Sequence, residues 1–456
     1  MSMLRLSELA DIVEGRMIGD DRWFEGVSTD TRQLQQGQLF VALHGPNFDG
    51  HDYLAAARLR GAAGALVERS DACDIALVQV ADSLLGLGRL GQQWRLRSPA
   101  QVVAVTGSNG KTTLKEMIAA ILSRRGAVLA TQGNLNNDIG VPLTLCRLRD
   151  EPYAVVEMGA SHAGEIDYLT GLVRPHVAVL NNAGRAHLEG FGSIEGVARA
   201  KAEIINGLAD DGVFVFNADD PFAGMWSKLA STRRQMSFGV AHPADVSSPA
   251  AACEVVWADG RFATRFPVRY RGVEIEVHLQ LAGEHNRMNA LAAIAASVAA
   301  GAELADAGQG LATLEPVAGR LCPLVGPGGA RVIDDSYNAN PDSVLAALGV
   351  LAAAPGRRTL VLGDLAELGG GVQELHRQLG QRASEYGIDR LMTIGEHSRQ
   401  AGLAFAGEHR HYADHTSLID ELMVGLSEED SVLVKGSRSA HMERVVERLR
   451  KEEIAC

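Results

Sequence analysis

The residues with the clearest chemistry are Thr106-Gly107-Ser108-Asn109-Gly110-Lys111-Thr112-Thr113. An apolar stretch that reads as a strand leads into them, and a helical pattern follows. In such a loop successive backbone N–H groups converge on phosphate oxygens, and the helix N-terminus adds a favourable dipole. Lys111 is expected to reach the β and γ phosphates of a nucleoside triphosphate, and the Thr112 hydroxyl to ligate Mg2+. The pattern G-x-x-x-x-G-K-[ST] is not fully met, because its first glycine falls on Val105. The bland alternative is a glycine-rich turn before a helix; the lysine, the threonine and the context favour phosphate.

Donors that could serve a metal recur downstream. Glu157 ends the stretch YAVVEMG, where a carboxylate can face Mg2+. Ser161-His162 and Asn181-Asn182-Ala183-Gly184 follow at strand ends, the site-bearing edge of a parallel sheet. His187 comes next, in GRAHLEGFGS. Mg2+ prefers oxygen, so a histidine here is either an ordinary satisfied residue or a hint of a second metal position. Lys201 lies among alanines in RAKAEIINGL, with Glu203 close by. It is either a solvated helix lysine or a buried one, and a buried ammonium near Mg2+ is unfavourable unless neutralised or modified.

The elements that must position these groups fall into three regions. Residues 1–83 read as a small mixed domain: the amphipathic helix LRLSELADIV, the strand GQLFVALHG, then a helix and strand in HDYLAAARLRGAAGALVER, and the strand IALVQV. Residues 84–315 alternate apolar strands (QVVAVTG, YAVVEMG, HVAVLNN, GVFVFNAD) with helical segments such as TTLKEMIAAILSRRG, which implies a parallel α/β sheet. GRFATRFPVRYRGVEIEVHLQLA alternates polar and apolar residues, as antiparallel strands at that sheet's edge do, and MNALAAIAASVAAGA closes the region as a helix. Residues 316–456 start again, with strand, loop and helix in RVIDDSYNANPDSVLAALGVLAA and strands in RRTLVLGDLAELG, RLMTIGE and DSVLVKGS. The fold class is α/β in three domains.

Composition agrees. The 456 residues amount to roughly three domains at about 150 residues each. A hydrophobic fraction of 46% with 22% charged residues excludes a disordered or low-complexity chain. A net charge of -13 makes the chain a poor general binder of nucleic acid or anionic membrane. The cysteines Cys73, Cys146, Cys253, Cys322 and Cys456 are odd in number and never form CxxC, which argues for a reducing compartment and against a zinc site. The N-terminus carries Glu8, Asp11 and Glu14 where a signal peptide needs an apolar run, and apolar stretches stay shorter than the about 20 residues of a membrane span. A cytoplasmic protein, without membrane insertion, is expected.

Several stretches together carry a resemblance. TGSNGKTT (106–113), EMGASHAGEIDY (157–168), NNAGRAHLEGFGSIEGVARAKAEI (181–204), GEHNRMNALAA (283–293), the GR pair at 319–320, IDDSYNANPDS (333–343), GDLAELG (363–369) and KGSRSAHME (435–443) resemble the motifs of the Mur ligases, ATP-dependent amide-forming enzymes of bacterial peptidoglycan synthesis. The likeness covers nearly the whole chain. Through STDTRQLQQGQLFVALHGPNFDGHDYL, HLEGFGS, SYNANPDS and KGSRSAHME it is most similar to members that join D-alanyl-D-alanine to UDP-N-acetylmuramoyl-tripeptide.

The resemblance implies a uridine-diphosphate-binding first domain, a central P-loop ATPase-like domain and a C-terminal Rossmann-like domain that brings the dipeptide and closes on ATP. It implies that Ser28, Thr29, Asp30, Arg32, Asn47, Gly50 and His51 line the uridine pocket, and that Asn136, Asn137 and Asp138 lie near the muramoyl end. Thr112, Glu157, His187 and Lys201 would serve the metals, two Mg2+ ions, with Lys201 carbamylated by CO2 and so acting as a carboxylate. Lys111, Lys201, His187 and Glu157 would be the catalytic set. Asn286 and Asn289, three apart on one helical face, would contact the adenine side and Arg320 the γ-phosphate. Asp335 would hold the ribose or orient the closed C-terminal domain. Ser336, Asn338, Asn340 and Pro341 would line the dipeptide's approach. A monomer is expected.

Two other readings share parts of this pattern. The tripeptide-forming ligase of the same pathway, and folylpolyglutamate synthase, resemble the core. The first should carry a DNPR-type motif and the second should lack the uridine-binding domain. A phosphate-loop switch protein would need an NKxD-like motif, and none occurs.

Overall fold

Short apolar runs separated by helical patterns fold into three main sheets, beside two small two-stranded ones, Leu4–Arg5 with Trp23–Phe24 and His44–Gly45 with Phe48–Asp49. The computed structural model describes residues 2–70, 74–250, 253–258 and 260–450; Cys73 and Cys456 lie outside these. Cys146, Cys253 and Cys322 are free thiols. Burial pushes the Cys146 thiol up to about 12, so it is inert at neutral pH.

The first sheet has the order β1-β5-β4-β3-β2, from β1 (Arg16–Ile18), β2 (Val27–Ser28), β3 (Leu39–Val41), β4 (Gly64–Val67) and β5 (Leu77–Gln79). Only the β1–β5 pairing is antiparallel. Helix α1 (Leu6–Val13) lays Leu6, Leu9 and Val13 onto this sheet. Helix α2 (Ser83–Arg97) starts at Asp82, whose carboxylate caps the Leu85 N–H, and then spans two cores. Its Leu87 and Leu90 pack with the first domain. Its Trp94 Nε1 donates to the Leu148 carbonyl at 2.9 Å and Arg95 Nε to the Val173 carbonyl at 3.1 Å, both in the central domain.

The central sheet is built from β6 (Gln101–Thr106), β7 (Val128–Ala130), β8 (Tyr153–Glu157), β9 (Val177–Leu180), β10 (Val213–Asn217), β11 (Arg234–Gly239), β12 (Val246–Ser247), β13 (Glu254–Ala258), β14 (Arg261–Tyr270) and β15 (Val273–Leu279). Its order is β7-β8-β6-β9-β10-β11-β12-β14-β13, with β15 on β14. The strands from β7 to β12 run parallel, and β13 to β15 form an antiparallel edge, of which polar–apolar alternation predicts β14 and β15 and not β13. Side chains of β6 alternate between two cores, Val103 and Val105 in one, Val102 and Ala104 in the other, as a period of two requires. The first core is closed by α3 (Lys111–Leu122), α4 (Glu284–Ala299) and α5 (Leu304–Ala312), whose Leu114, Ile118, Leu291, Ile294 and Leu311 are fully buried.

The third sheet has the order β16-β17-β21-β18-β19-β20, from β16 (Cys322–Val325), β17 (Arg331–Asp335), β18 (Arg357–Gly363), β19 (Arg390–Ile394), β20 (Glu408–Tyr412) and β21 (Asp430–Lys435). All pairs but β16–β17 are parallel. Sequence reading singles out neither β7, β11 nor β20. β7 is only three residues long. β11 and β20 carry exposed polar residues, RQMSFG and EHRHY, and β20 lies at a sheet edge, where one flank meets solvent and no apolar run is needed. Among the described residues no helix is long and apolar enough to cross a membrane.

Helix α3 carries the phosphate-loop lysine, and α5 crosses it closely. A Cβ on Gly310 would meet Ile121 Cα at 2.6 Å and the Ala120 carbonyl oxygen at 2.7 Å. In an open helix Gly→Ala stabilises by about 1 kcal/mol. Here Gly310→Ala is expected to lower stability by about 1–3 kcal/mol through overpacking, read as a drop in the denaturant midpoint of the central domain; a raised midpoint would mean the two helices do not meet at this glycine.

Candidate active site

The loop between β6 and α3 is folded around its own carbonyls. Lys111 Nζ donates to the Gly107 carbonyl at 2.8 Å and lies 3.3 Å from that of Ser108. The Asn109 carbonyl accepts from Asn181 Nδ2 at 3.0 Å and Asn182 Nδ2 at 3.1 Å. Gly110 sits at φ +78, the left-handed region, and a Cβ there would also strike Asn289 Oδ1 at 2.5 Å, so only glycine fits. The first-turn N–H groups of α3 have no intrahelical acceptor, which makes this end an anion site. Val105, where the longer motif has its first glycine, is a core residue of β6. Burial pushes the Lys111 amine below its ordinary value; Glu157 pulls it back and Arg320 pushes it further down.

Glu157 stands beside this loop at the end of β8, 2% exposed. Asn136 Nδ2 donates to its Oε1 at 2.8 Å, while its Oε2 is buried with no hydrogen-bond partner. An anionic oxygen without a partner is costly to bury, and a hard cation is the species that satisfies it. The backbone beneath is fixed by Lys115, which sequence reading passes over. Lys115 Nζ donates to the Thr131 carbonyl at 2.6 Å, and Thr131 Oγ1 accepts from the Glu157 N–H at 3.0 Å. Among the described residues no three His, Cys, Asp or Glu side chains gather into a cluster. A cation here therefore needs other oxygens as well: the Thr112 hydroxyl and the phosphates of a nucleotide. The donor set suits Mg2+ and does not suit zinc.

Lys201 is buried, not a solvated helix lysine. It is 1% exposed; its Nζ donates to the Ala160 carbonyl at 3.0 Å and lies 5.1 Å from the Phe191 ring centroid. Burial, helped by the Lys111 charge, pushes its amine down to about 7. His187 adopts φ +52 and pairs through Nδ1 with the Glu367 carboxylate, with Ser161 Oγ at 3.5 Å. A carboxylate on Nδ1 leaves the Nε2 lone pair for a metal, the usual arrangement of a ligating histidine. Burial pushes His187 down, opposed by Glu367 and assisted by Lys111 and Lys201.

The C-terminal domain meets the loop directly. Arg320 Nη2 lies 3.5 Å from Thr112 Oγ1, and Asn340 Nδ2 donates to Asn109 Oδ1 at 2.7 Å. Arg185 grips Asp342, through Nε at 2.8 Å and Nη2 at 2.7 Å. Sequence reading misses Arg185, Asp342 and Glu367, because partners more than 150 residues apart share no local signal; their only trace is that all three lie inside the quoted motifs.

Several residues expected to contact ligands have protein partners in this structure. Asn286 and Asn289 are among them. They are 4% and 3% exposed, with amides committed to Ala282, to each other and to Asn181, and so brace the loop from behind. Asp335 is not free for a ribose: its Oδ2 meets Lys435 Nζ at 2.5 Å and its Oδ1 accepts from the Leu321 N–H at 3.2 Å. Burial raises its pKa, opposed by Lys435. Through the Leu321 N–H it holds the segment just after Arg320. Ser336 is buried on Asp334 at 2.6 Å, and Asn340 caps the helix α6 (Pro341–Ala352), which Pro341 opens from a buried position, so none of the three lines an open approach; Asn338 is exposed.

In the first domain His51 is a satisfied core histidine, with Nδ1 on Asp49 at 2.6 Å and Nε2 accepting from the Glu68 N–H at 3.0 Å. Gly50 is a packing glycine: a Cβ would meet the Leu43 backbone at 2.7 Å. Ser28, Thr29 and Asp30 form a partly exposed turn, with Arg32 holding Asp30 below its usual pKa, and Asn47 lies on the surface. Asn137 accepts from the Gly140 N–H at 2.9 Å, and Asp138 is half-buried in the same loop as Asn136.

Comparison with known proteins matches three segments to family models: residues 24–86 to the Mur ligase family catalytic domain, 105–297 to the Mur ligase middle domain, and 319–438 to the Mur ligase glutamate ligase domain. The UDP-N-acetylmuramoyl-tripeptide–D-alanyl-D-alanine ligase of Escherichia coli (strain K12) is 45% identical over 453 residues, 98% of this chain and 99% of the relative. A crystal structure of MurF from Acinetobacter baumannii gives a TM-score of 0.91 at 36% identity, covering 98% of this chain and 99% of that one. MurF from Thermotoga maritima, solved in complex with ADP, gives 0.82 at 29%, covering 93% and 96%.

Replacing Lys111 removes the positive charge nearest the loop. Lys111→Ala is expected to lower kcat by about 100- to 1000-fold or more while unfolding stays cooperative, its transition lowered only by the lost bonds to the Gly107 and Ser108 carbonyls; a kcat equal to wild type would show that the loop handles no phosphate.

Proposed function

The chain belongs to the Mur ligase family, and from that premise we propose how its residues divide the reaction. It is an ATP-dependent ligase that adds D-alanyl-D-alanine to UDP-N-acetylmuramoyl-tripeptide in peptidoglycan synthesis. Residues 1–83 hold the uridine diphosphate end, through the turn at Ser28–Arg32 and Asn47. Residues 84–315 bind ATP, and residues 316–456 bring the dipeptide and close on the nucleotide.

The γ-phosphoryl group of ATP passes to the terminal carboxylate of the UDP-sugar-peptide, giving ADP and an acyl phosphate. The dipeptide amine attacks the acyl carbon, phosphate leaves with the C–O bonding pair, and the amine gives up a proton as the amide forms. Lys111 and Arg320 bring positive charge to the transferring group. The first-turn N–H groups of α3 hold phosphate oxygens in place. Thr112, Glu157, His187 and a carbamylated Lys201 would hold two Mg2+ ions, whose contribution is to neutralise charge on phosphoryl and acyl oxygens. Closure of the C-terminal domain through Arg320, Asn340 and Asp342 excludes water that would hydrolyse the acyl phosphate. One chain carries every residue invoked, which supports action as a monomer. The reaction calls for the cytoplasm, where ATP is available.

The observation that carries this reading is the unpartnered Glu157 Oε2, buried beside a phosphate loop that the C-terminal domain touches at Thr112 and Asn109. Phosphate release should need both UDP-N-acetylmuramoyl-tripeptide and D-alanyl-D-alanine. Robust hydrolysis of ATP with no acceptor would favour a phosphate-loop switch instead, and turnover with free lysine or a diamino acid would favour the tripeptide-forming reaction.

Lys201 has its own test. Below a pH of about 7 its amine holds a proton; above it the neutral amine can attack CO2, forming an N–C bond and releasing a proton. With 13C-bicarbonate, a carbamate signal is expected to grow as pH rises through about 7 and to be missing in Lys201→Ala. Acetate or formate should partly restore that variant's activity. A wild-type spectrum without the signal at any pH would remove the modification from the mechanism.

A further inference from the structure

Two arginines share one tyrosine at the C-terminal side of the site. The guanidinium carbon of Arg320 lies 4.1 Å from the Tyr337 ring centroid, and that of Arg438 lies 5.8 Å from the same centroid. Arg320 is the one that reaches the phosphate loop at Thr112. Arg438 opens the short turn Arg438–Ala440 after β21, on the carboxyl edge of the parallel strands, where ligands bind in open α/β sheets.

Arg438 is poorly used by the protein itself. Its side chain is 64% exposed, and among the described residues it makes no side-chain hydrogen bond. Its ion pair with Glu443 is 3.7 Å long, beyond hydrogen-bond range, and the same carboxylate oxygen is 3.3 Å from His441 Nδ1. Holding a long side chain against a ring costs rotamer entropy of up to about 2 kcal/mol, while an exposed cation–π contact returns about 0.5–1 kcal/mol. Two like charges around one ring also repel. The arrangement becomes favourable once each guanidinium has an anion. For Arg320 that anion is the phosphate at the loop.

The ligase reading supplies a second anion that no residue above accounts for, the free carboxylate of the incoming dipeptide. Ser336 and Asn340 are committed inside the protein, and Lys435 is buried on Asp335. We propose that Arg438 receives the C-terminal carboxylate of the D-alanyl-D-alanine acceptor and thereby selects an acceptor two residues long; this rests on the ligase reading. The planar guanidinium fork matches a carboxylate bidentately. At about 3.5 Å per residue a dipeptide spans about 7 Å from amine to carboxylate, and a single amino acid about half of that. An arginine that takes the dipeptide's carboxylate while its amine is at the acyl carbon therefore stands about 3.5 Å beyond the reach of a single amino acid's carboxylate.

The test compares D-alanyl-D-alanine with its C-terminal amide as acceptors for the intact enzyme. Arg438→Met keeps an apolar stem against Tyr337 and removes the fork. In wild type, kcat/KM for the acid is expected to exceed that for the amide by about 10- to 100-fold, the range of a charge-assisted hydrogen-bonded pair. In Arg438→Met the acid should fall to the level of the amide. The amide itself, and KM for ATP and for the UDP-sugar-tripeptide, should stay as in wild type. Arg438→Lys, a point charge without the fork, should recover part of the preference. A wild-type acid-to-amide ratio in Arg438→Met overturns the proposal, as does an equal loss for acid and amide, which marks a structural role. Absence of turnover with either acceptor in wild type overturns the ligase reading itself and this proposal with it.

Discussion

Every carbonyl from Gly107 to Asn109 is engaged from within: Gly107 and Ser108 by Lys111, Asn109 by Asn181 and Asn182. That engagement turns the backbone so that Gly110 takes its left-handed conformation and α3 begins with its N–H groups directed to the ligand side. Behind it Asn289 holds Asn181 at 2.8 Å, and Asn286 holds Asn289 at 3.2 Å. A buried amide left without its partner costs about 1–3 kcal/mol, so the chain of amides acts as a unit. Three strand ends and a helix from 180 residues further along meet there. Glu157, Lys201 and the C-terminal domain are all arranged around the position this loop defines.

The contacts that close the C-terminal domain are of another kind. Arg185–Asp342, His187–Glu367 and Arg320–Thr112 involve partly exposed side chains. Such pairs are worth about 0–1 kcal/mol each, because water competes for the same charges. A joint made of such pairs is held weakly. The Asp335–Lys435 pair differs: it joins registered positions of β17 and β21 inside one domain and is buried. Breaking it would strand a charge in the interior, which costs several kcal/mol, so it ties the segment after Arg320 firmly to the C-terminal sheet.

Burial gives Lys201 its chemistry. An alanine-flanked lysine on an exposed face would keep an amine near 10.5 and stay protonated. Enclosed by Phe191 and the Ala160 carbonyl, it loses its proton near neutrality and becomes a nucleophile. The periodicity of RAKAEIINGL permits either environment, and the packing of this helix against Glu165–Val173 and Leu188–Phe191 selects the buried one.

Legibility in the sequence follows the range of the interaction. The phosphate loop, the strands of the central sheet and the antiparallel edge were readable, because glycine placement, apolar runs and alternation are local consequences of backbone geometry. Short or edge strands such as Val128–Ala130 and Glu408–Tyr412 were not, since their pairing is decided by a neighbour rather than by their own pattern. The motifs also name residues without assigning their partners. Asn286, Asn289, Asp335 and Ser336 looked like ligand contacts because polar residues in a motif suggest a ligand, but in the fold their partners are other protein groups. By itself the sequence determined the α/β class in three domains, the family and the nucleotide loop, all set by residues within a few positions of one another. Only the tertiary structure decided that Glu157 Oε2 lacks a partner, that Lys201 is buried and that Arg438 makes no side-chain hydrogen bond among the described residues, because burial and pairing are set by segments that are not neighbours in sequence and meet only when the sheets assemble.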